Sequence, residues 1–202
     1  MAPVKTQFLT FAEYLDTCPE DGRYELVNGE LVKMDPTRGH EDVVDLIDRR
    51  FYDEIRRLKL NYVVKQNISI RTETATGIEQ GRRPDLCVIE KEVWKSDPTA
   101  YAALVQPFPL VVEVVSSNWK TDYIDKLDEY QRLGIPEYWI VDDATRATFE
   151  YLGNPKVPTV WVYRLNGDRY EGDRFTGRDR VVSPLFPELQ LTVDDIVEAR
   201  FS

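Results

Sequence analysis

The segment Leu110-Val111-Val112-Glu113-Val114-Val115 is aliphatic at every position but one, and it constrains the fold more than any other stretch of the chain. A strand that is apolar on both faces belongs inside a sheet covered on both sides, as in parallel or mixed sheets of α/β proteins. The sequence that follows fits this placement. A helical pattern over 121–133 carries Tyr123, Leu127, Tyr130 and Leu133 as its apolar stripe and ends at Gly134. A second apolar run, Tyr138-Trp139-Ile140-Val141, starts just beyond Pro136. Strand, helix and strand in this order predict a right-handed parallel crossover, with Thr121 capping the helix.

The flanking segments complete an α/β pattern. Thr10 and Glu13 have capping-box spacing for a short helix that Cys18-Pro19 ends. Asn28-Gly29 lies between Arg23–Val27 and Glu30–Met34, and Asn166-Gly167 between Thr159–Leu165 and Arg169–Phe175; each predicts a β-hairpin. Between Gly39 and Leu60 the residues Val43, Val44, Ile47, Phe51, Ile55 and Leu58 recur at helical steps. Strands are expected over Tyr62–Arg71 and Asp85–Ile89, and a short helix over Val193–Ala199. No repeat, low-complexity run or linker divides the chain, so 1–202 reads as a single domain.

Composition bounds the setting. The two cysteines, Cys18 and Cys87, are too few for a disulfide framework and predict a reducing, cytoplasmic location. Neither a signal-like apolar stretch near the N-terminus nor the roughly 20 apolar residues of a membrane span is present in the sequence, so export and membrane insertion are not expected. A net charge of -10 repels polyanions at long range and argues against a large nucleic-acid footprint. Divalent cations bound to site carboxylates, or a local basic patch, would offset that repulsion.

Three residues point to one site. Glu113 interrupts the buried strand, where an uncompensated carboxylate would cost several kcal/mol; it is a structural ion pair, a strand end that reaches solvent, or a metal ligand. Asp85 follows Arg82-Arg83-Pro84 at the entrance to the apolar run Leu86-Cys87-Val88-Ile89, a position that is a simple turn or a cleft residue. Lys126 falls on the apolar side of its helix, whereas Asp125, Asp128 and Arg132 face away. Such a lysine either snorkels to water or pairs with a buried acid. A crossover that folds the helix back over its strand would bring Lys126 to the carboxylates.

RRPDLCVIE, PLVVEVVSS and DKLDEYQRLGIPEYWIVD, in that order, resemble the Uma2 family of endonucleases, a branch of the PD-(D/E)XK superfamily. RYELVNGELVKM, the helix led by His40, and SPLFPELQLTVDDI resemble the same family's N-terminal hairpin, first core helix and ending. The resemblance implies a restriction endonuclease-like fold: a mixed central β-sheet flanked by helices, with N- and C-terminal hairpin additions. It implies Asp85 and Glu113 as ligands of Mg²⁺ or Mn²⁺ and hydrolysis of nucleic-acid phosphodiesters, DNA foremost, leaving 5′-phosphate ends. The superfamily pattern places a lysine two residues after Glu113, where this chain has Val115. By the resemblance, Lys126 takes that lysine's place as the third catalytic residue.

Glu25, in the hairpin, and His40, the only histidine, are further candidates for the cleft; the plainer reading of each is structural. His40 and two cysteines without CxxC spacing do not make a zinc site. Arg82, Arg83, Lys120 and the Arg56-Arg57 pair are candidate backbone-phosphate contacts, and Trp119 is either a base-stacking residue or core. A degenerate nuclease fold that binds nucleic acid or a protein without cleaving it is the alternative. A carboxylate-pair glycosidase fits less well, since acids on neighbouring strands suit a metal better. A homodimer, which would permit double-strand cuts, is left open by the sequence.

Overall fold

The computed structural model describes residues 8–201. The N-terminal stretch 1–7, and with it most of the segment expected to carry no export signal, lies outside that range.

In chain order the elements are α1 (Phe11–Thr17), β1 (Arg23–Val27), β2 (Glu30–Met34), α2 (Arg38–Leu58), β3 (Tyr62–Lys65), β4 (Ser69–Glu73), β5 (Glu79–Arg82), β6 (Leu86–Glu90), α3 (Lys91–Lys95), β7 (Ala103–Leu104) and β8 (Leu110–Val114). A π-helical segment (Thr121–Lys126) then runs directly into α4 (Leu127–Leu133), followed by β9 (Glu137–Asp142), α5 (Phe149–Leu152), β10 (Thr159–Asn166), β11 (Arg169–Thr176) and α6 (Val193–Ala199).

The strands form two mixed sheets. One has the order β11-β10-β9-β8-β6-β3, the other β2-β1-β5-β4-β7. β8 and β9 are parallel, with Glu113 opposite Ile140, and the intervening helix makes the connection that the strand-helix-strand pattern predicts. β6 runs antiparallel to β8, with Leu86 opposite Val112. Both hairpins form: Asn28 and Gly29 adopt positive φ at the first turn and Gly167 at the second, the conformation that Asn and Gly tolerate best. The capping box of Thr10 and Glu13 is also present.

Two sequence expectations need correction. The stretch Tyr62–Arg71 is not one strand: Asn67, at φ 58°, breaks it, and β3 and β4 join different sheets. Thr121 does not cap its helix. Helical residues begin at Trp119, and the Thr121 amide donates to the carbonyl of Asn118.

Strand alternation splits the interior in two. On one face of the six-stranded sheet, Val112, Val114, Leu86 and Trp139 pack against Val43, Ile47 and Phe51 of α2 and Ile196 of α6. On the other, Val111, Val115, Cys87, Tyr138 and Ile140 pack against Tyr123 and Tyr130 from the crossover helix. Full burial of each large apolar side chain is worth roughly 1.5–3 kcal/mol, so both faces fix the strand register strongly. Glu113 shares the face of Val111 and Val115, toward the crossover helix.

Candidate active site

Glu113 is 2% exposed, and both its carboxylate oxygens have partners. Its Oε1 accepts a hydrogen bond from the Tyr130 hydroxyl at 2.7 Å, and its Oε2 lies 2.9 Å from Lys126 Nζ. Tyr130 and Lys126 stand one helical turn apart, so a single helix face supplies both. The same ammonium lies 3.1 Å from Glu25 Oε1 and 3.4 Å from Asp122 Oδ1. Lys126 therefore joins a residue of β1, in the five-stranded sheet, to one of β8, in the six-stranded sheet.

Asp85 occupies the bend between Pro84 and β6. Its Oδ2 accepts from the Val114 amide at 2.8 Å, which seats it beside the residue that follows Glu113. Its Oδ1 lies 2.9 Å from His40 Nε2, in the first turn of α2. The sequence brings His40 there through the Thr37 cap, whose side chain accepts from the His40 amide.

A second tier surrounds Glu25. Arg82 reaches Glu25 Oε2 at 3.3 Å and makes a bidentate pair with Glu129, at 2.7 Å through Nε and 2.6 Å through Nη2. Thr72 donates to Glu129 at 2.6 Å, and the Arg83 amide donates to Glu25 Oε1 at 3.1 Å.

Glu25, His40, Arg82, Asp85, Glu113 and Lys126 all line one cavity of about 410 Å³, together with Asp122 and Arg83. Its electrostatics follow from an excess of acids over fixed cations. Burial pushes Glu113 up to about 8 against the pull of Lys126, with the charges of Asp85 and Asp122 adding to the rise. Burial likewise takes Asp122 up to about 6. Burial also opposes the charge of Glu25, but Lys126 and Arg82 overcome it and hold this carboxyl below its usual range. The two glutamates share one lysine yet shift in opposite directions, because only Glu25 has a second cation beside it and a backbone N–H donor. Burial would strip the proton from Lys126, but Glu113, Glu25 and Asp122 raise it well above an ordinary lysine. Burial also opposes charge on His40, and the Asp85 hydrogen bond outweighs it to raise the imidazole.

The structure thus brings Asp85, Glu113, Lys126, Glu25 and His40 to one cavity. Arg82 differs from its expected role as a phosphate contact: it is 2% exposed and its guanidinium is taken up by Glu129 and Glu25. Lys120 is exposed beside the Trp119 ring and is not part of the cavity lining. Trp119 is half-buried and packs on Tyr123 and Tyr151. Arg57 is ion-paired to Glu54 and Glu188, and Arg56 lies over Tyr52. The sequence reading missed Asp122 and Glu129. Both sit on the face that carries Lys126, four residues before it and three after, and that spacing was the available signal.

Among the described residues, no group of three or more His, Cys, Asp or Glu side chains is arranged to hold a metal ion. A pair of carboxylates nevertheless suits Mg²⁺, which keeps several waters and takes one or two protein carboxylates plus substrate phosphate. Asp85 and Glu113 are hard oxygen donors on one cavity, and each oxygen retains a lone pair beyond its present hydrogen bond or ion contact.

The two mixed sheets, the parallel β8-β9 crossover and the acidic cavity at its strand ends define a protein of the restriction endonuclease-like class. The chain belongs to the Uma2 family, described as "Putative restriction endonuclease", whose pattern matches residues 11–194. Among solved structures, a "putative nuclease belonging to DUF820" from Anabaena variabilis ATCC 29413 has the same fold. It aligns with a TM-score of 0.71 at 15% identity, over 95% of this chain and 99% of that one. No curated protein matches the sequence. Among the described residues no helix is long and apolar enough to cross a membrane.

Proposed function

We propose that this chain is a metal-dependent nuclease that hydrolyses phosphodiester bonds in nucleic acid, with DNA as the first substrate to test. The observation that carries the reading is the ammonium of Lys126 at 2.9 Å from Glu113. A lysine beside the second acid is what the superfamily pattern calls for, and here it arrives from a helix instead of the strand position held by Val115.

In this reading Asp85 and Glu113 hold Mg²⁺ or Mn²⁺. When bound, such a cation polarises the phosphodiester and lowers the pKa of a coordinated water. Lys126 keeps its proton, since three carboxylates surround it, and so acts as a fixed positive charge that orients the water or stabilises developing negative charge. Tyr130 fixes the rotamer of Glu113, and His40 together with the Val114 amide fixes that of Asp85. Arg82 and Glu129 hold Glu25, which shares the Lys126 ammonium with Glu113 and so helps to position it.

A second reading rests on the burial of Glu113 and the engagement of both its oxygens: the cluster is a structural ion network in a fold that binds without cleaving. One experiment separates the two. Wild type, D85A, E113Q and K126A are incubated with single- and double-stranded DNA and RNA in Mg²⁺ or Mn²⁺. Cleavage by wild type that all three substitutions abolish supports the nuclease; an inert wild type across these substrates supports the binding module.

A further inference from the structure

Five lysine and arginine residues line the cavity: Arg23, Lys33, Arg82, Arg83 and Lys126. Four have a carboxylate partner. Arg23 pairs with Glu41, Lys33 with Asp35, Arg82 with Glu25 and Glu129, and Lys126 with Glu113, Glu25 and Asp122. Among the described residues, Arg83 has no carboxylate within ion-pair distance, and its Nε is buried with no hydrogen-bond partner. The Nε is closed off from the cavity, and no carboxylate or hydrogen-bond acceptor among the described residues meets the terminal guanidinium nitrogens of this half-buried residue, so the charge of Arg83 is uncompensated by protein groups at its free end.

The backbone that carries Arg83 is tightly fixed. Its amide is anchored on Glu25 Oε1 at 3.1 Å, and Pro84, which follows, restricts its conformation to the extended region. Asp85 comes next and is tied to the Val114 amide and to His40. Arg83 thus stands at a set spacing from the Asp85-Glu113 pair and opens onto the same cavity.

We infer that Arg83 binds a phosphate group of the substrate strand next to the phosphodiester that sits at Asp85 and Glu113. The inference rests on the nuclease reading for the identity of the strand. The guanidinium itself selects for phosphate oxygen: it is a planar set of N–H donors with fixed charge that grips an oxyanion in bidentate fashion. Arg23, Arg82 and Lys126 are held by half-buried or buried carboxylates and Lys33 pairs with Asp35 in the open, so Arg83 is the cavity cation with no carboxylate partner to give up when a second phosphate arrives. The site then takes polynucleotide in preference to an isolated diester, despite the acidic balance of the whole chain.

The test uses the full chain with Ca²⁺ in place of Mg²⁺, and compares wild type, R83M and R83K. Thymidine 3′,5′-bisphosphate is titrated calorimetrically, and a labelled DNA oligomer is titrated over a range of NaCl concentrations. R83M is expected to bind the bisphosphate about tenfold more weakly and to reduce the slope of log affinity against log salt by about one. R83K, which keeps the charge and loses the fork, is expected to restore the slope with only part of the affinity. Circular dichroism checks that the variants are folded. Equal bisphosphate binding by wild type and R83M, or none by wild type, overturns the Arg83 site. The nuclease reading fails separately, through absence of cleavage by a wild type that still binds the bisphosphate through Arg83.

Discussion

Lys126 and Glu113 lie on different elements, yet the ammonium sits 2.9 Å from the carboxylate, and Glu25 of the other sheet shares it at 3.1 Å. The lysine is thus a link between sheets as well as a candidate catalytic group. Its removal strands carboxylates in a buried place, since Glu25, Glu113 and Asp122 are each 5% exposed or less. Breaking a buried ion network by deleting one partner typically costs about 3–5 kcal/mol. K126M, which keeps the aliphatic stem, is expected to lose about 3 kcal/mol of folding stability in urea titrations. A loss below about 1 kcal/mol would mean that the carboxylates shed their charge or reach water at little cost.

Glu25 predicts how acid affects the fold. Lys126 and Arg82 hold its carboxyl below the ordinary value of 4.5, against the effect of burial. The folded state therefore binds this proton less readily than the unfolded chain. Its contribution to stability is complete above the unfolded pKa and is lost as pH falls through the depressed folded value. Wild type should lose stability as pH falls below the unfolded value of 4.5, and E25Q should lose less over the same fall while being less stable at neutral pH. Parallel pH profiles for the two proteins would show that Glu25 is not held as an anion.

Tyr130 separates positioning from charge at Glu113. Its hydroxyl donates to Oε1 at 2.7 Å, and its ring packs edge-on to Tyr138, 5.1 Å between centroids. Y130F keeps the ring and removes the donor, which should cost about 1–2 kcal/mol of stability. If cleavage depends on the rotamer of Glu113, kcat should fall about tenfold with little change in KM, because the lost contact is not to substrate. A rise in KM at constant kcat would place Tyr130 in substrate binding instead.

Much of the fold was legible because its signals are local. Asn28-Gly29 and Asn166-Gly167 specify turns through backbone conformation, and the unbroken aliphatic run on either side of Glu113 specifies a strand covered on both faces. The break at Asn67 was less legible, since a β-branched run reads as one strand whether or not its halves join different sheets. At the site, the position of Lys126 on the apolar helix face was readable from periodicity. The inward turn of Asp122 and Glu129 is not legible in the same way, because acids on a helix are ordinarily solvated. The helix here is wound as a π segment over Thr121–Lys126, a local widening that hydrophobic periodicity at 3.6 residues does not anticipate. The role of Arg82 is hidden for a related reason: its sequence neighbours resemble an exposed basic patch, and only the fold brings Glu129 and Glu25 to it.

Metal binding should be visible as stability before any substrate is added. The internal ion pairs already hold the cavity, so EDTA is expected to leave the circular dichroism spectrum unchanged. Mg²⁺ would bind only the folded arrangement of Asp85 and Glu113, and a ligand at 100 times its Kd stabilises the folded state by about 2.7 kcal/mol. Because burial pushes Glu113 up to about 8, binding near neutrality must displace a proton. The Mg²⁺-induced rise in Tm should therefore be larger at pH 8.5 than at pH 6.5, and D85N and E113Q should each remove it. A rise that persists in both variants would place the cation elsewhere on this acidic chain and would leave the Asp85-Glu113 pair without a metal role.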